Sequence, residues 1–357
     1  MTGVTVVQPG DFSALVALRA KEGELTALGE LHRADQLRLV QPLLQFDADG
    51  TPTKQLDDVE TAVRILHNLG RVAMLDATDV AEHSGYGAAG ALGGLTDRLT
   101  HQADLFQPIA FIPVVRSDLA ATRIAPLGRL CRELGAGGAL RIRRPTPDAG
   151  RLGRLLEMLR VDPEDLDLIV DLEYLPELTS DAIAHAQRVL GTSASFGGFR
   201  STSLLAGSVP PALSQTEVWE APRVEEAAWD TLVRAGAQGL RFGDYGAVHP
   251  GSGPAFPPRH VTLRYTCWDH WLYSRERIPK PDAETGETHS EPPRNRTFRA
   301  VCRHVVESEG FAGAEFSWGD RAIREAAEGR GHGLGSTSKP VAFATSHHLA
   351  HLASRAA

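Results

Sequence analysis

Eight short apolar runs constrain the fold of this chain more than any other feature. They lie at residues 13–20, 37–46, 72–75, 108–115, 138–142, 166–172, 194–199 and 239–242. Most are separated by stretches with helical periodicity. Between the second and third runs, Leu56, Val59, Ala62, Val63, Leu66 and Leu69 form one helical face, and Gly70 supplies a C-cap. Continuous rather than alternating apolar runs suit parallel strands covered by helices. The rhythm predicts an α/β fold, a (β/α)8 TIM-like barrel with a C-terminal α+β extension. An open doubly wound sheet is the rival. The count of eight, and the absence of Gly-x-Gly-x-x-Gly after the first run, argue against it.

Several details carry their own expectations. Pro42 and Pro113 inside two runs predict irregular strands. A helix over 119–134 should break or kink at Pro126. Asp148 and Ser346 are the expected N-caps of two helices, the latter opening the last one. Residues 261–271 alternate like a strand or hairpin, 277–296 are polar and Pro-rich, and 298–309 read as a helix. The organisation is then a leader at 1–12, a barrel at 13–258, and an extension at 259–357 packing on the barrel mouth.

With 357 residues the chain can bury a sizeable core without disulfides, and Cys131, Cys267 and Cys302 show no paired spacing. Such cysteine usage suits a reducing cytoplasm. The formal net charge of −8 argues against general coating of nucleic acid, which needs a basic stripe. Residues 1–10 lack the cationic start and apolar core of a signal peptide. No run approaches the roughly 18 apolar residues of a membrane span.

In a barrel, chemistry gathers where the strands end. The runs collect Lys21, Asp47, Asp76, Arg116, Arg143, Asp171, Glu173, Arg200 and Asp244 at that face. Carboxylates there can act as general acid and base or hold a divalent metal ion. Arginines can grip phosphate or carboxylate with two parallel hydrogen bonds. Asp171 and Glu173, two apart on a strand, should share a face, with Leu172 turned into the strand–helix layer. The eighth run ends in Gly243-Asp244-Tyr245-Gly246, followed by His249-Pro250. A second aromatic turn, Phe316-Ser317-Trp318-Gly319-Asp320, and the triplet His347, His348 and His351 lie farther on. His-Glu-x-x-His is absent, so that triplet reads as a helix-start cluster with one histidine packed and the others in water. No nucleophile elbow of the Gly-x-Ser-x-Gly type is present; Gly251-Ser252-Gly253 has the wrong spacing.

Short motifs in a fixed order resemble the phage beta-protein family. They are Lys21-Glu22-Gly23-Glu24 with Ala27-Leu28, Pro42 in an apolar run, Asp171 ending a strand, and Arg223 with Glu225 opening a helix. They continue with Phe242 to Gly246, His249-Pro250, Tyr265-Thr266 before Trp271, Phe316 to Asp320, and His347-His348-Leu349. The resemblance implies a barrel-like fold and a role in phage–host conflict, and supplies no reaction.

The functional expectation is a hydrolase acting on a phosphorylated or nucleotide-like ligand. Asp171, Glu173, Asp244, His249, Asp320 and His348 are its candidate catalytic residues. Arg143, Arg200 and Tyr245 are its candidate substrate-binding residues. The alternative is a non-catalytic binding or effector component of a phage-defence system, holding a protein partner with the same rim.

Overall fold

A computed structural model describes residues 8–101, 109–251, 259–279, 291–331 and 333–355. The start of the expected leader, Ser252-Gly253, and most of the Pro-rich stretch lie outside them. The strands β1 (Ala14–Arg19), β2 (Val40–Gln45), β3 (Met74–Asp76), β4 (Ile112–Arg116), β5 (Gly138–Ile142), β6 (Leu166–Tyr174) and β7 (Ser201–Gly207) pair in order, all parallel. β8 (Glu217–Pro222) leaves that sheet, and β9 (Leu240–Asp244) takes the eighth place, pairing with both β7 and β1 to close the barrel. The helices α1 (Glu22–Gly29), α2 (Pro52–Asn68), α3 (Gly90–His101), α4 (Ala121–Leu134), α5 (Ala149–Leu159), α6 (Ser180–Ala194) and α7 (Val224–Arg234) fall between the strands.

Both faces of the strands are buried, as parallel strands under helices require. Leu15, Ala17, Leu43, Met74, Ile112, Val114, Ala139, Ile169 and Leu205 fill the barrel axis as one apolar cluster. Val16, Leu18, Val40, Leu44, Leu75 and Phe242 point the other way, into the helices. At the bottom, Phe12 joins the axial cluster, Arg241 donates to the Gly10 carbonyl (2.5 Å), and Arg71 donates to that of Asp11 (3.1 Å).

Beyond β9 come β10 (His260–Thr266), β11 (His270–Arg277), α8 (Pro293–Val306), α9 (Trp318–Ala327) and α10 (Lys339–Arg355). β8 joins β11 and β10 in a small antiparallel sheet, with α8 packed on it through Phe298, Val301, Cys302 and Val305. α10 then returns to the barrel. Its Leu349 and Leu352 share an apolar cluster with Val16, Leu28 and Phe242, and Arg355 pairs with Glu226 on α7. α10 therefore covers the β9–β1 seam and acts as the eighth barrel helix.

Three local expectations need correction. The seventh strand is not 194–199, since Ala194 ends α6; the strand starts at Ser201, behind the hydroxyl residues Ser201, Thr202 and Ser203 that mask its pattern. Pro126 sits within the first two turns of an unbroken α4. Ser346 lies in the middle of α10, where its hydroxyl accepts from Gly319 N–H (3.0 Å) instead of capping the helix. Asp148 does cap α5, accepting from Arg151 N–H (2.7 Å).

Candidate functional site

β5 carries one charged residue in the middle of its apolar run, Arg141. Alternation along the strand turns it inward with Ala139, so it must find acids inside the barrel. It is fully buried. It donates to Asp76 Oδ2 (2.6 Å), Asp171 Oδ2 (2.8 Å) and the Tyr245 hydroxyl (2.6 Å). The amide oxygen of Gln45, turned toward the guanidinium, accepts from it at 2.6 Å. Tyr245 in turn donates to Asp171 (2.7 Å to Oδ1), and Arg143 Nε donates to Asp171 Oδ2 (2.7 Å). Burial would raise the pKa of Asp171. Arg141, Arg143 and the Tyr245 hydroxyl outweigh it and hold the carboxyl below the ordinary range. Asp171 is therefore an ionised anchor whose oxygens are saturated. It orients Arg143 and has no lone pair to spare for catalysis.

Above this layer the barrel mouth opens into a cavity of about 610 Å³. Tyr245 and Arg143 form part of its floor; Arg19, Asp47, Glu173, Tyr174 and His249 stand around it. Asp171 and Glu173 do not share a face. The strand bulges between them, and Glu173 adopts a left-handed backbone (φ 56°) that few non-glycine residues take. Its N–H donates to Asp171 Oδ1 (2.8 Å), which holds the bulge, while its half-exposed carboxylate swings out to 3.4 Å from Arg143 Nη1. Strain of this kind collects at functional sites. Leu172 packs into the strand–helix layer as expected.

His249 follows the last barrel strand. Its Nδ1 lies 2.9 Å from the carbonyl of Val209. A carbonyl only accepts, so Nδ1 bears the proton and Nε2 keeps a lone pair. Its ring stands edge-on to Tyr174, with centroids 4.8 Å apart. Burial, with Arg19 and Arg264 nearby, lowers its pKa and keeps the ring neutral.

Four expected mouth residues lie elsewhere. Asp244 is on the Phe242 side of β9, one residue away from the face that Tyr245 uses. It points into the helix layer, 1% exposed, bonded to His348 Nε2 (2.9 Å) and Arg223 Nη2 (3.3 Å). His348 also contacts the Thr266 hydroxyl (2.8 Å). Asp320 is buried beside them, accepting from Tyr265 (2.6 Å) and Ser317 (2.6 Å) and contacting His347 (3.0 Å). All three histidines of α10 are buried, contrary to the expected water-facing pair. His351 accepts from Arg223 (3.2 Å), and burial with that arginine pushes its pKa down to about 2. These groups fasten the small sheet and α9 to α10. Arg200 is at the barrel bottom, paired with Asp167 (2.6 Å), because its strand begins after it.

Of the nine candidates, the cavity brings together Arg143, Glu173, Tyr245 and His249, with Asp171 immediately beneath. Arg141, Arg19 and Tyr174 were not among them. Arg141 had a usable signal, a charge at an inward-facing position of a buried strand. Among the described residues no three His, Cys, Asp or Glu side chains are placed to hold a metal ion. The carboxylates expected as ligands are engaged by arginine, tyrosine or histidine, so the donor set does not fit a divalent ion. No helix among the described residues is long and apolar enough to cross a membrane.

Comparison with known proteins gives a family and a remote structural likeness. The family model described as Beta protein matches residues 16–354. No curated protein sequence matches the chain. Among solved structures, a 3-hexulose-6-phosphate synthase aligns over 68% of this chain and 95% of its own, with 14% identity and a TM-score of 0.35.

Proposed function

The chain belongs to the Beta protein family, and from that footing we propose that it is a barrel hydrolase acting on a small phosphorylated or nucleotide-like substrate in the mouth cavity. One observation carries the reading: a neutral histidine, His249, whose Nε2 lone pair is left free by the Nδ1 contact to Val209, lines the same cavity as Arg143. In the step we propose, Nε2 takes a proton from water as the water oxygen bonds to phosphorus. The bond to the leaving oxygen breaks, and that oxygen departs with the electron pair and is protonated by solvent. Arg143, held upright by Asp171, supports the charge that develops on the phosphoryl oxygens. Glu173 stands beside Arg143 and aims the fork of its guanidinium.

The test is phosphate release from a panel of phosphomonoesters and nucleotides, followed by phosphorus NMR. Turnover by the native chain, with a loss of about 100-fold or more in His249→Gln, is the expected result. Binding without turnover of any member sinks the hydrolase reading. It would favour the alternative, a non-catalytic component of a phage-defence system that uses the mouth as a receptor.

A further inference from the structure

Three arginines line the mouth, and they are not equivalent. Arg143 is bonded to Asp171 and lies near Glu173, and Arg144 pairs with Asp181 (2.8 Å). Arg19, the last residue of β1, turns inward with Leu15 and Ala17. Among the described residues its guanidinium meets no carboxylate. Its Nη2 donates only to two backbone carbonyls, His249 (3.3 Å) and Pro250 (2.9 Å).

We propose that Arg19 is the anion-receiving group of the mouth, exchanging these neutral carbonyls for a phosphate or carboxylate oxygen of the ligand. This deepens the reading above and rests on it. A carbonyl carries only a partial charge, so an anionic oxygen makes the stronger, charge-assisted bond at the same nitrogen. Both residues that supply these carbonyls line the cavity, so the exchange takes place at its wall. The buried acid that feels Arg19 is Glu24, whose carboxyl burial pushes up to about 7, so Arg19 lacks a full counter-charge near neutrality. The swap also has a mechanical result. The carbonyls belong to the loop that carries His249, so an anion on Arg19 releases the tether of that histidine's backbone.

The experiment titrates the full chain with inorganic phosphate and follows the His249 ring nitrogens by NMR, assigned by their loss in His249→Gln. Phosphate is expected to move the native His249 signals. Affinity should fall about 10-fold or more in Arg19→Gln and stay within about 2-fold in Arg144→Gln, as loss of one charged hydrogen-bond partner predicts. Arg19→Lys keeps a cation and a donor for the loop; it should fold even if the glutamine variant does not, and bind between the two. Equal affinity in the native chain and the Arg19 variants overturns the assignment and leaves the mouth reading standing. If phosphate leaves the native His249 unmoved, the mouth reading itself falls, and Arg19 with it.

Discussion

Asp244 and Tyr245 are neighbours in sequence and face opposite layers of the barrel. Tyr245 faces the axis and the cavity; Asp244 faces α10. The Gly-Asp-Tyr-Gly turn is visible in the sequence, but a one-residue parity is not, because both faces of a buried parallel strand are apolar. Glu24 offers a cleaner handle at this scale. It is 3% exposed, and burial lifts its carboxyl to about 7 from an ordinary 4.5. A raised folded-state value favours the neutral form, so its contribution to stability is whole below pH 4.5 and is lost as pH rises through about 7. Glu24→Gln should therefore gain stability relative to the native chain across that window, by up to roughly 3 kcal/mol at its alkaline end. Urea denaturation at pH 4.5 and pH 8 checks it, and a difference that does not grow with pH refutes the assignment.

Most strands and helices are legible in the sequence because continuous apolar runs and amphipathic periods are local signals. The seventh strand is not, since its first three residues are hydroxylic and only Leu204, Leu205 and Ala206 mark it. Because the strand starts at Ser201 and not at residue 194, Arg200 stands at the bottom of the barrel and not at the expected mouth. The partners of Asp244, Asp320 and the α10 histidines were illegible for another reason. Apart from Ser317 beside Asp320, they meet across separations of 21 to 128 residues, and nothing local specifies such pairing. Asp244 and His348 form a clasp between β9 and α10, reinforced by Arg223 at the head of α7. Breaking a buried pair strands the remaining charge. Asp244→Asn should cost about 3 kcal/mol in urea denaturation while phosphate still moves the His249 signals with native affinity. Loss of that response in a folded variant would return Asp244 to the site.

The molecule as a whole is a barrel whose eighth strand and eighth helix are separated, among the described residues, by two strands of the small sheet and two helices. Tyr265 of β10, Trp271 of β11 and Phe343 of α10 share one apolar cluster, so the small sheet and α10 pack together. The arrangement also makes α10 part of the barrel wall. Removal of residues 339–355 would uncover Val16, Leu28 and Phe242 and strand Asp244 and Arg223. The truncated chain should show no cooperative thermal transition by circular dichroism and should aggregate in size-exclusion chromatography. A monomer with a native-like melt would show that the seam closes without the helix. The same placement bears on how the protein is made. β1 and β9, adjacent in space, cannot be covered together until the ribosome has released α10. The nascent barrel therefore waits with Val16, Leu28 and Phe242 bare, and apolar surface of that kind is prone to association until α10 docks.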